Sequence, residues 1–195
     1  MLKLAGLQIT VTNKAAVLSD DQILELLRHE RTFERGFRTL MAQYRERLYW
    51  HIRRLVLRHD DADDVLQNTL VKVYRGIGQF EGKSKLYTWL YRIATNESIT
   101  FLQQAARNAS LPIDDLSGML GQHLQADEWF DGDEAQRMLQ AAIAQLPDKQ
   151  RLVFNLRYYQ EMPYEEMSAL LDTSVGALKA SFHHAVKKLE AMLGK

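Results

Sequence analysis

The chain of 195 residues contains no cysteine, so disulfides, thiolate metal sites and cysteine nucleophiles are excluded and a reducing, cytoplasmic home is expected. With only three prolines and few β-branched runs, little in it interrupts a helix, and an all-α fold is expected. No apolar run approaches the roughly 20 residues that a membrane-spanning helix needs, so membrane insertion is not expected. Residues 1–18 lack the long apolar core of a signal peptide, although Lys3 and Lys14 lend them a basic tint. They read as an N-terminal extension. Net charge is absent too, which offers no global attraction to a polyanion. What is there is a hydrophobic fraction of 46%, enough to fill a core, and a charged fraction of 26%, enough for solubility. The length fits one domain or two small ones.

The zero net charge hides a segregation. Residues 20–107 carry +3 and residues 134–195 carry +1, whereas residues 108–133 hold six acids (Asp114, Asp115, Asp127, Glu128, Asp131 and Asp133) and no Lys or Arg. Two nearly balanced helical blocks joined by an acidic, glycine-bearing connector read as two domains, 19–107 and 134–195, and a flexible linker, 108–133.

Helical periodicity runs through both blocks. Ser19-Asp20-Asp21 is an N-cap cluster for a short helix through Ile23, Leu24, Leu26 and Leu27. A long amphipathic helix follows, with Phe33, Phe37, Leu40, Met41, Tyr44, Leu48, Ile52, Leu55 and Val56 on one stripe and Arg45, Arg47, Arg53, Arg54 and Arg58 on the other face. His59-Asp60-Asp61 is expected to break it. The next helix starts in acid, suiting the positive end of a helix dipole, runs inward through Val65, Leu66, Thr69, Leu70, Val73 and Tyr74, and stops at Gly76 and Gly78. A loop over Gln79–Lys85 precedes a helix from Leu86 to about Gln104, with Trp89, Leu90, Ile93 and Leu102 facing inward. In the second block helices are expected over 134–145 and through Leu152, Val153, Leu156 and Tyr159.

From Pro163 to Leu189 the pattern spells helix, tight turn, helix. Met167, Leu170 and Leu171 precede Asp172-Thr173-Ser174, a turn and N-cap signal, and Leu178, Phe182, Ala185 and Leu189 resume the helical spacing. Such a pair can cross steeply and project its second helix into a DNA major groove, or it can be an ordinary helical hairpin.

Three strings decide between these. They are the run from Phe80-Glu81-Gly82-Lys83-Ser84-Lys85 through Trp89 to Asn96, the acidic Asp63-Asp64-Val65-Leu66-Gln67-Asn68-Thr69, and Tyr164-Glu165-Glu166-Met167 through Val175-Gly176-Ala177-Leu178-Lys179. In this order, around an acidic linker, they resemble the sigma-70 family and within it the small extracytoplasmic-function (ECF) sigma factors, over about Ser19 to Lys195.

The resemblance implies a transcription initiation factor that binds core RNA polymerase, directs it to −35 and −10 promoter elements and promotes melting. Holding a strand open needs no bond-making, only a protein that prefers single strands. Aromatic stacking returns roughly 1–3 kcal/mol per base against unstacking, and basic groups hold phosphates. The implied −10 residues are Phe80, Lys83, Lys85, Tyr87, Trp89, Tyr91, Arg92 and Asn96, of which Trp89 equally suits a core position and Tyr91 fits either role. The implied −35 residues are Arg157, Ser174, Lys179, Ala180, His183, His184 and Lys187. The family often carries arginines where this chain has Ser181, His184 and Val186, which implies weaker phosphate anchoring and an atypical −35 sequence. Asp61, Asp63, Asp64, Gln67 and Asn68 would dock on the clamp helices of the polymerase β′ subunit, the family often having Glu in place of Asn68. The second domain would meet the β flap, the linker would thread the polymerase cleft, and an anti-sigma factor would mask the surfaces.

No cofactor or metal is expected: His183 and His184 are adjacent on a helix and point about 100° apart. Nor is an enzyme, since Glu165 and Glu166 are likewise neighbours that do not converge. The competing reading is a conventional helix-turn-helix regulator whose N-terminal half senses a ligand or dimerises.

Overall fold

The computed structural model describes residues 18–109 and 134–194, and every regular element among them is helical. In chain order these are α1 (Asp20–Arg28), α2 (Glu30–Val56), α3 (His59–Gly76), a 3-10 turn (Ile77–Gln79), α4 (Leu86–Ala109), α5 (Glu134–Ala144), α6 (Asp148–Tyr158), α7 (Tyr164–Leu171) and α8 (Val175–Leu193). The expectations for residues 1–17 and for the linker over 110–133 lie outside the described residues. α4 continues past its expected end at Gln104 and past the expected linker boundary at 108.

The chain divides inside α2 into two compact units, between Gln43 and Tyr44. In the first, Ser19 opens α1 with a capping box: its hydroxyl accepts from the Gln22 N–H at 3.3 Å, while the Gln22 side chain accepts from the Ser19 N–H at 2.9 Å. The chain then reverses tightly into α2, Thr32 donating to the Leu26 carbonyl at 2.7 Å. Gly36 makes the close approach possible, because a Cβ there would lie 2.9 Å from the Leu26 Cβ.

The second unit begins with the rest of α2, whose Tyr44, Leu48, Ile52 and Leu55 form a fully buried stripe at the expected four- and three-residue spacing. α2 ends at Leu57, which takes a left-handed conformation (φ 70°) that glycine usually supplies, and its N–H bonds to the Arg53 carbonyl at 3.0 Å. The break therefore falls at Leu57-Arg58 and not at His59-Asp60-Asp61. Arg58, extended, is the N-cap, and Asp60 and Asp61 occupy the first turn of α3, at the positive end of its dipole. The arginine face also differs from expectation. Arg45, Arg47 and Arg58 are exposed, but Arg53 is buried, and Arg54 lies over the Tyr159 ring, 3.9 Å from its centroid. Arginine's long apolar stem and flat cation make such burial tolerable. Tyr74, expected inward, is exposed on α3.

α3 packs along α4, and Lys72 and Glu97 form an ion pair between them. α5, α6 and α8 enclose a second core of Ala142, Ile143, Leu146, Phe154, Ala185 and Leu189, with the Phe154 and Phe182 rings stacked at 5.7 Å. Arg151 is buried on α6, donating to the Ala144 carbonyl, to the Leu55 carbonyl at 3.2 Å and to Asp148 at 2.6 Å. Asn155 donates to the Arg54 carbonyl at 3.4 Å. Carbonyls at a helix C-terminus have no partner within their own helix. Those of α2 at Arg54 and Leu55 find theirs on α6.

Candidate nucleic-acid interface

Three groups of side chains carry the expected contacts. The first sits on and ahead of the N-terminus of α4. Gly82, at φ +71°, turns the loop where an L side chain would be strained. Phe80 is half-buried, its ring 5.5 Å from that of Trp89, and Trp89 packs its other edge over Gly76. Trp89 thus braces the loop from below. Lys83 pairs with Glu81 at the surface, and Asn96 is exposed.

The rest of this face is engaged. Lys85 donates to the Glu166 carboxylate at 2.9 Å, Thr88 donates to it at 2.8 Å, and the Tyr87 hydroxyl donates to it as well. Burial pulls the Glu166 carboxyl upward, but hydrogen bonds from Tyr87, Lys85 and Thr88 outweigh it and hold the group below the usual carboxylate range. Tyr91 is buried, edge-on to His51 at 4.9 Å, and its hydroxyl donates to Gln160 at 2.5 Å. Burial, above all, pushes that hydroxyl's pKa up. Arg92 donates to the Ala169 carbonyl at 3.1 Å.

The second group is the helix-turn-helix. α7 closes at Asp172, in the left-handed conformation (φ 48°, ψ 47°) that Asp tolerates better than most residues. Ser174 then caps α8, accepting from the Ala177 N–H at 3.3 Å. Pro163 precedes α7 without a side-chain cap, as its chemistry requires. Arg157 and Lys179 flank the Tyr164 ring, 5.2 and 5.7 Å from its centroid, a double cation–π arrangement that aims two positive groups at one patch. Ala180, His183, His184 and Lys187 are exposed along α8. Ala180 and His184 also line a cavity of about 830 Å³ whose opposite wall includes Ser98, Ile99 and Leu102 of α4.

The third group is the start of α3. Asp63 faces His59 at 3.5 Å, and His59 in turn meets the Tyr49 hydroxyl at 2.6 Å. Burial raises the Asp61 carboxyl pKa. Asp64, Gln67 and Asn68 are exposed, and the same surface continues into Val71 and Tyr74, apolar groups about half open to solvent. Sequence reasoning missed these two because their positions overlap the apolar run of α3. It also missed Thr88 and Glu166, whose partnership spans 78 positions.

These features define a helical, two-region, nucleic-acid-binding protein, and comparison with known proteins makes the class specific. The Sigma-70 region 2 family matches residues 40–108, and the Sigma-70, region 4 family matches residues 136–189. The RNA polymerase sigma-H factor of Pseudomonas aeruginosa is 29% identical over 190 residues, covering 89% of this chain and 93% of that protein. The ECF RNA polymerase sigma-E factor of Haemophilus influenzae is 28% identical over 184 residues, covering 90% and 96%. In fold, the chain is similar to the sigma factor RpoE in complex with the anti-sigma factor NepR from Bartonella quintana (TM-score 0.64, 21% identity, 81% of this chain and 96% of that one). It is equally similar to CnrH in complex with the cytosolic domain of CnrY (TM-score 0.64, 22% identity, 90% and 97%). The chain belongs to the sigma-70 family, in its ECF group, and is a promoter-directing transcription initiation factor. The conventional-regulator alternative is not favoured, because region 2 occupies the half it assigned to sensing or dimerisation.

Proposed function

We propose that this protein works in the cytoplasm, without catalytic activity of its own, as the subunit that lets core RNA polymerase find and open one class of promoter. Residues 19–107 act as the −10 and polymerase-binding domain and residues 134–195 as the −35-binding domain. Phe80 stacks on a base pulled from the −10 non-template strand, with Lys83, Lys85 and Arg92 on the phosphates and Asn96 reading an edge through an amide that both donates and accepts. Tyr87 and Tyr91 complete the aromatic face, and Trp89 acts through Phe80. Lys179, Arg157 and Lys187 anchor the −35 duplex, and Ala180, His183 and His184 meet the groove, with Ser174 setting the start of the recognition helix. Asp61, Asp63, Asp64, Gln67 and Asn68, extended by Val71 and Tyr74, form the surface for the β′ clamp helices, carboxylates and amides suiting a basic partner. An anti-sigma factor is the expected inhibitor, since both solved sigma factors named above are held by one.

The observation that supports this reading best is Phe80, set on a glycine-turned loop, braced by Trp89 and flanked by the exposed Lys83 and Asn96. The test is transcription in vitro with purified core polymerase on a genomic library, reading 5′ ends, followed by permanganate probing of the promoter found. Phe80→Ala is expected to abolish most thymine reactivity in the −10 region while leaving co-elution with polymerase intact. Normal reactivity in that variant would remove Phe80 from the opening step.

A further inference from the structure

The two DNA-directed faces of this chain meet each other. α7, the first helix of the helix-turn-helix, lies along the first turns of α4. Glu166 meets Lys85, Tyr87 and Thr88, and Ala169, one helical turn further on, meets Arg92, while Gln160 just ahead of α7 holds Tyr91. Four of the side chains assigned to the −10 strand are thereby engaged by the −35 domain. On the other side, Ala180 and His184 of the recognition helix open onto the 830 Å³ cavity walled by α4, a space too small for a DNA duplex.

The chemistry at Glu166 says what belongs there otherwise. Three side-chain donors, an ammonium and two hydroxyls, converge on one carboxylate at the start of α4. An ammonium, neutral hydroxyls and a helix N-terminus make a cradle for a singly charged oxyanion. A phosphodiester carries the same charge and presents its oxygens in a similar way. Thr88 is buried, so its hydroxyl has no role toward solvent and points at this oxyanion alone.

We propose that Lys85, Tyr87 and Thr88 form an oxyanion cradle with two alternating occupants, a backbone phosphate of the opened strand and the chain's own Glu166, so that the helix-turn-helix closes the strand-opening face until the domains part. The identity of the first occupant rests on the function proposed above; the closure does not. The closed chain cannot present both promoter elements, and separation of the domains exposes both together.

The absence of cysteine makes the test direct. Thr100→Cys and Glu190→Cys, both at exposed positions outside the proposed faces, place donor and acceptor dyes on α4 and α8 of the full chain. Glu166→Lys sets like charges against each other at Lys85 and is expected to lower transfer efficiency. Adding Lys85→Glu restores the pair with its signs exchanged and is expected to bring the efficiency back, which a merely misfolded variant would not do. Transfer unchanged in Glu166→Lys would overturn the closure. Separately, anisotropy of a short fluorescein-labelled oligothymidylate at low salt compares the wild-type chain with Glu166→Ala. If closure holds about nine-tenths of the chains, freeing the cradle raises apparent affinity about tenfold, and Thr88→Val in the Glu166→Ala background takes most of that gain away. Reduced transfer with no gain in oligonucleotide affinity would overturn the phosphate as occupant and leave the closure standing.

Discussion

At the scale of single residues, His51 carries the clearest consequence. It is completely buried, its Nε2 2.9 Å from the Thr95 hydroxyl and its ring edge-on to Tyr91. Burial first, then the nearby Arg54 charge, holds its pKa down at about 3 against an ordinary 6.5. The unfolded chain takes a proton near 6.5 and the folded chain refuses it until about 3, so the unfolded state binds more protons across that interval. Stability is therefore complete above 6.5 and falls with pH below it, by up to about 1.4 kcal/mol per unit. Above about pH 5 ordinary carboxylates remain ionised, so the first part of this slope belongs to histidine. Urea midpoints taken between pH 7 and 5 should fall for the wild-type chain and stay nearly level for His51→Phe, whatever the variant's absolute stability. An equal slope in both would assign the loss to another group. Arg53 and Arg54, by contrast, illustrate what a residue's type conceals. Both read as solvated from their positions opposite the apolar stripe, and what buries Arg54 is an aromatic ring on a distant helix.

At the scale of elements, the local code was largely legible and its departures are local too. Periodicity placed α2, α3, α6 and α8, and the Ser19 and Ser174 caps sit where hydroxyls precede apolar runs. The exact three-residue break at Asp172-Thr173-Ser174 followed from turn chemistry. The misplaced end of α2 has a definite cause: Leu57 adopts a glycine-like conformation, and no side-chain preference announces that in a leucine. Gly36 shows the same limit from the other side. In a helix interior glycine costs about 1 kcal/mol relative to alanine, so propensity alone predicts that Gly36→Ala stabilises α2. The methyl would, however, stand 2.9 Å from the Leu26 Cβ and 3.1 Å from its backbone carbon, neither of which can swing aside. Overpacking of this kind costs about 1–3 kcal/mol and should win, so thermal melting of Gly36→Ala is expected below the wild-type midpoint. A raised midpoint would mean that α1 yields easily to α2.

At the scale of the whole molecule, the candidate site was legible as a set of residues but not as an arrangement. The −10 face, the helix-turn-helix and the acidic start of α3 are contiguous strings, and each could be read by itself. Glu166 in the cradle and Asn155 on the Arg54 carbonyl join positions 78 and 101 apart, and no periodicity encodes a pairing of that range. The joint between the two matched regions includes many polar contacts: the Arg54–Tyr159 stack, the α2 carbonyls held by Arg151 and Asn155, and the bonds to Glu166, Gln160 and Ala169. Hydrogen bonds that trade with water stabilise by only about 0.5–1.5 kcal/mol each, which suits a joint that must open when a larger partner binds.

Such a joint still couples the melting of its two sides, because each region stabilises the other only while both are folded. Arg54 is the place to cut it. The side chain belongs to α2, whereas its stacking partner Tyr159 belongs to the second region, so truncation leaves the α5–α6–α8 core untouched. Losing a partly desolvated cation–π contact costs about 1–2 kcal/mol, comparable with the worth of one or two of the remaining bonds. Scanning calorimetry of the full chain is expected to give one transition for residues 44–195 in the wild type. In Arg54→Ala it should broaden or divide, the earlier component following near-ultraviolet signals of Tyr158 and Tyr159. A single transition of unchanged width, merely shifted, would mean that the two regions melt together for reasons other than this joint.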